Sequence, residues 1–246
     1  MKKFLALWFL VISLERCAAS NILKASSQLL VVCTGDWEQV QGKMQCFEKN
    51  PQGDWVAVGD IVKVCVGKNG LGWGIGLHPR ITTQRKKQEG DSRAPAGVFH
   101  ISAVFSKFPE CPYNLYYQVI KPTTEAIDDP QSHYYNTIVD ANSVEEIDWK
   151  SSEKMSEVDL YDLGLVIDHN MPVQDTQAGS CIFMHRWRRP GAPTAGCTAM
   201  DSADLETVCH WLDSAKKPCL VQLPIEVYSK HKQAWKLPDI AFAQPF

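Results

Sequence analysis

The sequence predicts a mainly β fold. Short runs of β-branched and aromatic residues recur along it, glycines and prolines punctuate those runs at turn spacing, and few stretches sustain a helical period. At 246 residues the chain can bury a substantial core. Its 25 Lys and Arg against 28 Asp and Glu give a formal net charge of -3. That balance supplies no basic field for nucleic acid and no polyacidic tail, so no nucleic-acid partner is expected.

The elements follow in order. Lys2 and Lys3 precede the apolar run Phe4 to Leu14, and Ala18-Ala19-Ser20 offers small residues for cleavage. This predicts a secretory signal peptide over residues 1–20, too short and wrongly flanked for a membrane span, with an uncleaved anchor as the alternative. The protein is therefore expected to be exported. Gln28 to Cys33 and Lys43 to Phe47 read as strands joined by a Gly-containing turn, followed by strands at Trp55 to Val58 and Ile61 to Val66. Gly67, Gly70, Gly72, Gly74 and Gly76 then mark a loop without the order of a phosphate-binding motif, so no nucleotide is expected.

The polar stretch Gln84 to Arg93 leads into Ala94 to Ile101, a turn feeding a strand. Asp128 and Asp129 are adjacent, so on an extended chain their carboxylates point apart. They read as a structural or substrate-loop feature rather than an acid–base pair. Asp140 to Met155 reads as a linker or exposed helix, and Leu163 to Ile167 as a buried strand ending at Asp168-His169-Asn170. Ser180 to Met184 is a second buried strand that delivers His185, with a loop from Arg186 to Ala192. Asp201 to Lys217 carries apolar residues on one helical face, capped by Asp201 or Ser202. A strand from Cys219 to Leu223 and a tail containing prolines and aromatics close the chain.

Beyond residue 20 there are eight cysteines, with no Cys-x-x-Cys pair and no zinc-like spacing, so neither a metal nor a cofactor is expected. Cys33 with Cys46 and Cys209 with Cys219 are plausible bridges. One cysteine stands apart. Cys197 lies in the small-residue loop Pro193-Thr194-Ala195-Gly196-Cys197-Thr198-Ala199-Met200, twelve residues after His185. A thiol becomes a strong nucleophile when a neighbouring base takes its proton, and histidine is the usual base. The plain alternative is a buried or disulfide-bonded cysteine.

Three pieces in fixed order are more specific than any one of them. Gly90-Asp91-Ser92-Arg93-Ala94-Pro95-Ala96-Gly97-Val98-Phe99, then a strand ending in His185, then Thr194-Ala195-Gly196-Cys197 before a helix and a closing strand, resembles the L,D-transpeptidase catalytic-domain family. The resemblance runs from about Gln28 to Leu223 and falls in a divergent Ala-Gly-Cys subgroup. It implies a β-sandwich of mostly antiparallel strands with short helices, a single catalytic domain over residues 21–246, and action on peptidoglycan stem peptides as a monomer. It further implies Cys197 as nucleophile and His185 as base. The Arg186 carbonyl would orient the imidazole, and the Ala195, Gly196 and Cys197 amides would hold an oxyanion.

Where many members carry Ser-His-Gly-Cys followed closely by arginine, this chain has Thr194-Ala195-Gly196-Cys197 and then Thr198-Ala199-Met200. Arg93, Arg186, Arg188 and Arg189 are candidates for the missing cation, with solvated surface charge as the alternative. Thr194, Tyr135, Asn136 and His169 are further candidates for the substrate cleft, although a strand-end histidine such as His169 is more often structural. Two function classes stay open. One is a cysteine acyltransferase, with hydrolysis of the same substrates as its variant; the other is a peptidoglycan-binding module that has lost catalysis.

Overall fold

The computed structural model describes residues 23–242 except 84 and 173; the expected signal peptide lies outside the described residues. Strands hold 37% of the described residues against 15% in helices, so the fold is mainly β, and it is consistent with the expected sandwich. The strands are β1 (Gln28–Thr34), β2 (Gln41–Lys49), β3 (Trp55–Cys65), β4 (Leu71–Trp73), β5 (Ala94–Ser106), β6 (Tyr116–Val119), β7 (Thr124–Ile127), β8 (Ile138–Asp140), β9 (Ser152–Lys154), β10 (Leu163–Ile167), β11 (Phe183–Arg186), β12 (Thr198–Met200) and β13 (Cys219–Pro224). Two helices follow late in the chain, α1 (Ser202–Trp211) and α2 (Ile225–Trp235).

The main sheet has ten strands in the order β10-β11-β12-β3-β2-β1-β13-β5-β4, with β6 beside β5, and β10 also pairs with β5. The thirteen-residue β5 makes that closure possible, because its two halves serve different neighbours. Gly97 to His100 pair with β13, and Ile101 to Ser106 pair with β10. Most ladders are antiparallel; the parallel ones are β1–β13, β11–β12, β4–β5 and β5–β6.

Side-chain alternation along β1 fills two cores at once. Leu30 and Val32 join Met44, Leu165, Met184 and α1, while Leu29, Val31 and Cys33 join Val221, Leu223 and α2. Both faces of β1 are therefore covered, and all seven of its residues are buried. The second small sheet, β8-β7-β9, shares no ladder with the main sheet, but its Ala126 packs with Phe105 and Phe183 of that sheet in a third apolar cluster.

Several boundaries differ from expectation for physical reasons. The two runs Trp55 to Val58 and Ile61 to Val66 form one strand, because a bulge absorbs Gly59 to Ile61 between the pairs Met44–Val62 and Cys46–Val58. Asp140 to Met155 forms no helix; it ends β8, crosses a loop, and pairs as β9 with β7. The tail after Cys219 holds the helix α2, whose Tyr228 and Trp235 are buried. The eight cysteines among the described residues are free thiols. Cys33 and Cys46 sit in different cores, as do Cys209 and Cys219, so neither expected bridge forms.

Candidate active site

The site is built on the parallel pair β11–β12. His185 lies opposite Ala199, and Cys197 sits in the bend immediately before β12. Both side chains line one cleft of about 670 Å³. The strand delivering His185 begins at Phe183 rather than Ser180, because Cys181 has φ +53° and turns the chain just before it.

The Cys197 loop is held from below. Thr194 donates its amide to the Val66 carbonyl (3.1 Å) and accepts from the Lys68 amide (2.9 Å). Gly67 is required at this crossing, since a Cβ there would lie 2.3 Å from the Ser92 carbonyl oxygen. The Asp91 carboxylate accepts from the Lys87 ammonium (2.7 Å) and from the Gln88 and Arg93 amides. This fixes the turn that puts the Arg93 carbonyl against Gly196. At Gly196, φ is +157° and a Cβ would stand 3.2 Å from that oxygen. The stretch Gly90 to Phe99 thus acts as the foundation of the cysteine loop.

Within the loop, the Thr194 hydroxyl donates to the Cys197 carbonyl (2.6 Å) and accepts from the Gly196 amide (3.1 Å). The Cys197 sulfur accepts from the Phe183 amide (3.3 Å) and faces the Cys181 carbonyl at 3.7 Å. Burial pushes the thiol up to about 12; the Glu153 charge adds to this, and the Phe183 amide opposes it. The capping carboxylate Asp201 starts α1 only beyond β12, roughly 13 Å of strand from Cys197, too far for the helix dipole to favour a thiolate.

His185 Nδ1 lies 2.8 Å from the Arg186 carbonyl, which as an acceptor fixes the proton on Nδ1 and leaves Nε2 as the basic nitrogen. Burial lowers the imidazole pKa. At neutral pH the thiol and the imidazole that line this cleft are therefore both uncharged.

The remaining expected residues separate into two groups. Thr194, Ala195, Gly196, Arg188 and Arg189 line the cleft with Cys197 and His185; Arg93, Tyr135, Asn136 and His169 do not. The Arg93 guanidinium donates to the Leu71 carbonyl (3.0 Å). The Arg186 side chain turns to Asp162 and to the Asp159 carbonyl, although its own carbonyl holds His185. His169 is fully enclosed, accepting from the Ile75 amide and donating to the Ala178 carbonyl, and burial lowers its pKa to about 4. Asn136 bonds the His169 and Asn170 carbonyls and receives the Cys181 amide, so it supports the cleft wall from behind. The Tyr135 hydroxyl donates to Glu89 (2.6 Å). Trp73 packs in the core against Trp37, whereas Trp187 lines the cleft.

Lys87, Glu89, Asp128, Glu153 and Tyr161 also line the cleft. The adjacency of Asp128 and Asp129 reads as a turn, and Asp129 does accept the Gln131 and Lys150 amides in that role. Glu153 lies in the stretch expected as a linker, and Tyr161 precedes a strand without any motif, so neither carried a signal in the sequence. No cluster of side chains suited to a metal ion occurs among the described residues.

The sequence matches the L,D-transpeptidase catalytic domain (YkuD) over residues 48–227, and the chain belongs to that family. It is accordingly an L,D-transpeptidase-type enzyme of peptidoglycan. Neither a curated protein nor a solved structure matches it.

Proposed function

We propose that the chain is an exported cysteine acyltransferase acting on peptidoglycan stem peptides, with Cys197 as nucleophile and His185 as base. The observation that carries this reading is the shared cleft of Cys197 and His185, with the imidazole tied at Nδ1 and basic at Nε2. Nε2 takes the thiol proton as sulfur attacks the carbonyl at the L-centre of a donor tetrapeptide. The oxyanion is held by the Ala195 and Cys197 amides, because the Gly196 amide is already bonded to Thr194. Collapse breaks the bond to D-alanine, whose amine leaves with the proton from His185, and a thioester remains on Cys197. The side-chain amine of a diaminopimelate residue then attacks the thioester, gives its proton to His185, and the thiol is restored.

A neutral resting pair means that proton transfer accompanies attack rather than preceding it. Arg188 and Arg189, the arginines of the expected four that line the cleft, supply the cation for a stem-peptide carboxylate. Residues 1–20 direct export, and residues 21–246 act as one domain and as a monomer. The test is mass spectrometry of the purified chain with disaccharide-tetrapeptide and a diaminopimelate-containing acceptor. A cross-linked dimer with D-alanine released, absent in Cys197→Ala and reduced roughly 10³-fold in His185→Ala, is the expected result. Trimmed monomer without dimer would replace transfer to an amine by hydrolysis, and wild-type turnover from Cys197→Ala would refute the assignment.

A further inference from the structure

A second aromatic ring bears on His185 from behind. Tyr161 ends the 3-10 turn Asp159–Tyr161 just before β10 and is 5% exposed. Its ring meets the His185 ring edge-on at 5.5 Å between centroids and 63° between planes. It is held in turn by Phe105 and Phe183, each at 5.5 Å, within the apolar cluster that also contains Cys197. Its hydroxyl donates to Glu153 Oε2 at 2.6 Å. Glu153 belongs to β9, opposite Ala126 of β7, so this bond ties the small sheet to the wall that carries His185.

The Arg186 carbonyl fixes one imidazole nitrogen, but a single hydrogen bond leaves the ring free to pivot about it. An edge contact from a ring that is itself packed on two sides removes that freedom.

We propose that Tyr161 is a positioning residue for His185, and that Glu153, bonded to Tyr161 and lining the same cleft as Cys197, adds its charge to burial in disfavouring the Cys197 thiolate. The proposal rests on the reading of Cys197 and His185 given above. The groups bearing on Cys197 are His185 from β11, Tyr161 from the turn before β10, Glu153 from β9, and Cys181 and Lys87 from loops. The Lys87 ammonium, which favours a thiolate, is already paired with Asp91. Arg188, Arg189 and Asp128 line the same cleft, and Asp128 together with burial raises the Glu153 carboxyl while the Tyr161 bond lowers it.

The first test follows alkylation of Cys197 by iodoacetamide against pH, resolved by peptide mass spectrometry, and needs no peptidoglycan. Glu153→Gln, which keeps an acceptor for Tyr161, is expected to move the midpoint to lower pH by roughly one unit. The second test is turnover. Tyr161→Phe keeps the ring and retains kcat within about three-fold, whereas Tyr161→Leu loses roughly ten-fold or more in kcat with KM unchanged. An unmoved alkylation midpoint in Glu153→Gln, or wild-type kcat in Tyr161→Leu, would overturn the corresponding half. A merely structural role would lower the melting temperature without moving either readout. If the wild-type chain processed no muropeptide while Glu153→Gln still shifted the midpoint, the functional reading would fall and the Glu153 effect would stand.

Discussion

At the scale of residues, the cysteine loop is held from within by one hydroxyl. The Thr194 hydroxyl closes the loop in both directions, donating to the Cys197 carbonyl and receiving the Gly196 amide. Thr194→Val keeps the shape and removes both bonds. It is expected to lower kcat roughly ten-fold and to destabilise the fold by about 1–2 kcal/mol, measured by turnover and by denaturant unfolding; full activity would show that the loop holds itself. Cys197, His185 and Thr194, which line one cleft, stood out in the sequence because thiol chemistry asks for particular residue types in a short span. Glu153 and Tyr161 were not, since they reach the cleft only through tertiary packing and carry no local pattern. Tyr135, Asn136 and His169 misled for a related reason. Their hydrogen-bonding capacity is visible in sequence, but Asn136 and His169 use theirs on backbone groups behind the cleft wall, and Tyr135 uses its hydroxyl on the Glu89 carboxylate.

At the scale of elements, strands with two-sided burial or clear bounding turns were readable, and Leu163–Ile167 is the best case. The merger of two runs into β3 was not, because a bulge is set by the partner strand rather than by the strand's own residues. The α1 helix begins where its cap predicts, with the Asp201 carboxylate accepting the Ala203 amide at 3.0 Å. It stops at Trp211, earlier than the apolar spacing alone suggests, and a separate 3-10 turn capped by Asp213 follows. Asp201→Ala is expected to cost about 1 kcal/mol in a denaturant melt and to leave Cys197 chemistry intact, since β12 stands between cap and thiol. A loss of turnover exceeding the loss of stability would show that the cap acts on the site.

At the scale of the whole molecule, buried histidines make stability sensitive to mild acid. Burial lowers His78 and His169 from 6.5 to about 4, and lowers His185 in the same direction. The unfolded chain therefore binds these protons first. Their contribution is fully present above about 6.5 and is lost progressively as pH falls toward 4, on the order of 3 kcal/mol for His78 and for His169. Asp140 and Asp148, held near 2 by their hydrogen bonds, lose their contribution only at lower pH, so the two windows are separable. The guanidinium midpoint should fall between pH 7 and pH 4.5, and a flat profile across that range would refute the assignment.

The parallel ladder between β1 and β13 sets a timetable for the nascent chain. Leu29 finds its neighbour in Cys219, and β5 has its antiparallel partner in the same late strand. Until Cys219–Pro224 has been synthesised, β1 and the first half of β5 face each other across a missing strand, and neither core can close. Contacts of such sequence separation form slowly. The polypeptide is thus expected to stay unfolded through most of its translation, a state that suits the export proposed above. A chain ended before Cys219 is expected to lack a cooperative thermal transition, and a folded product from it would show that the ladder closes without its last strand.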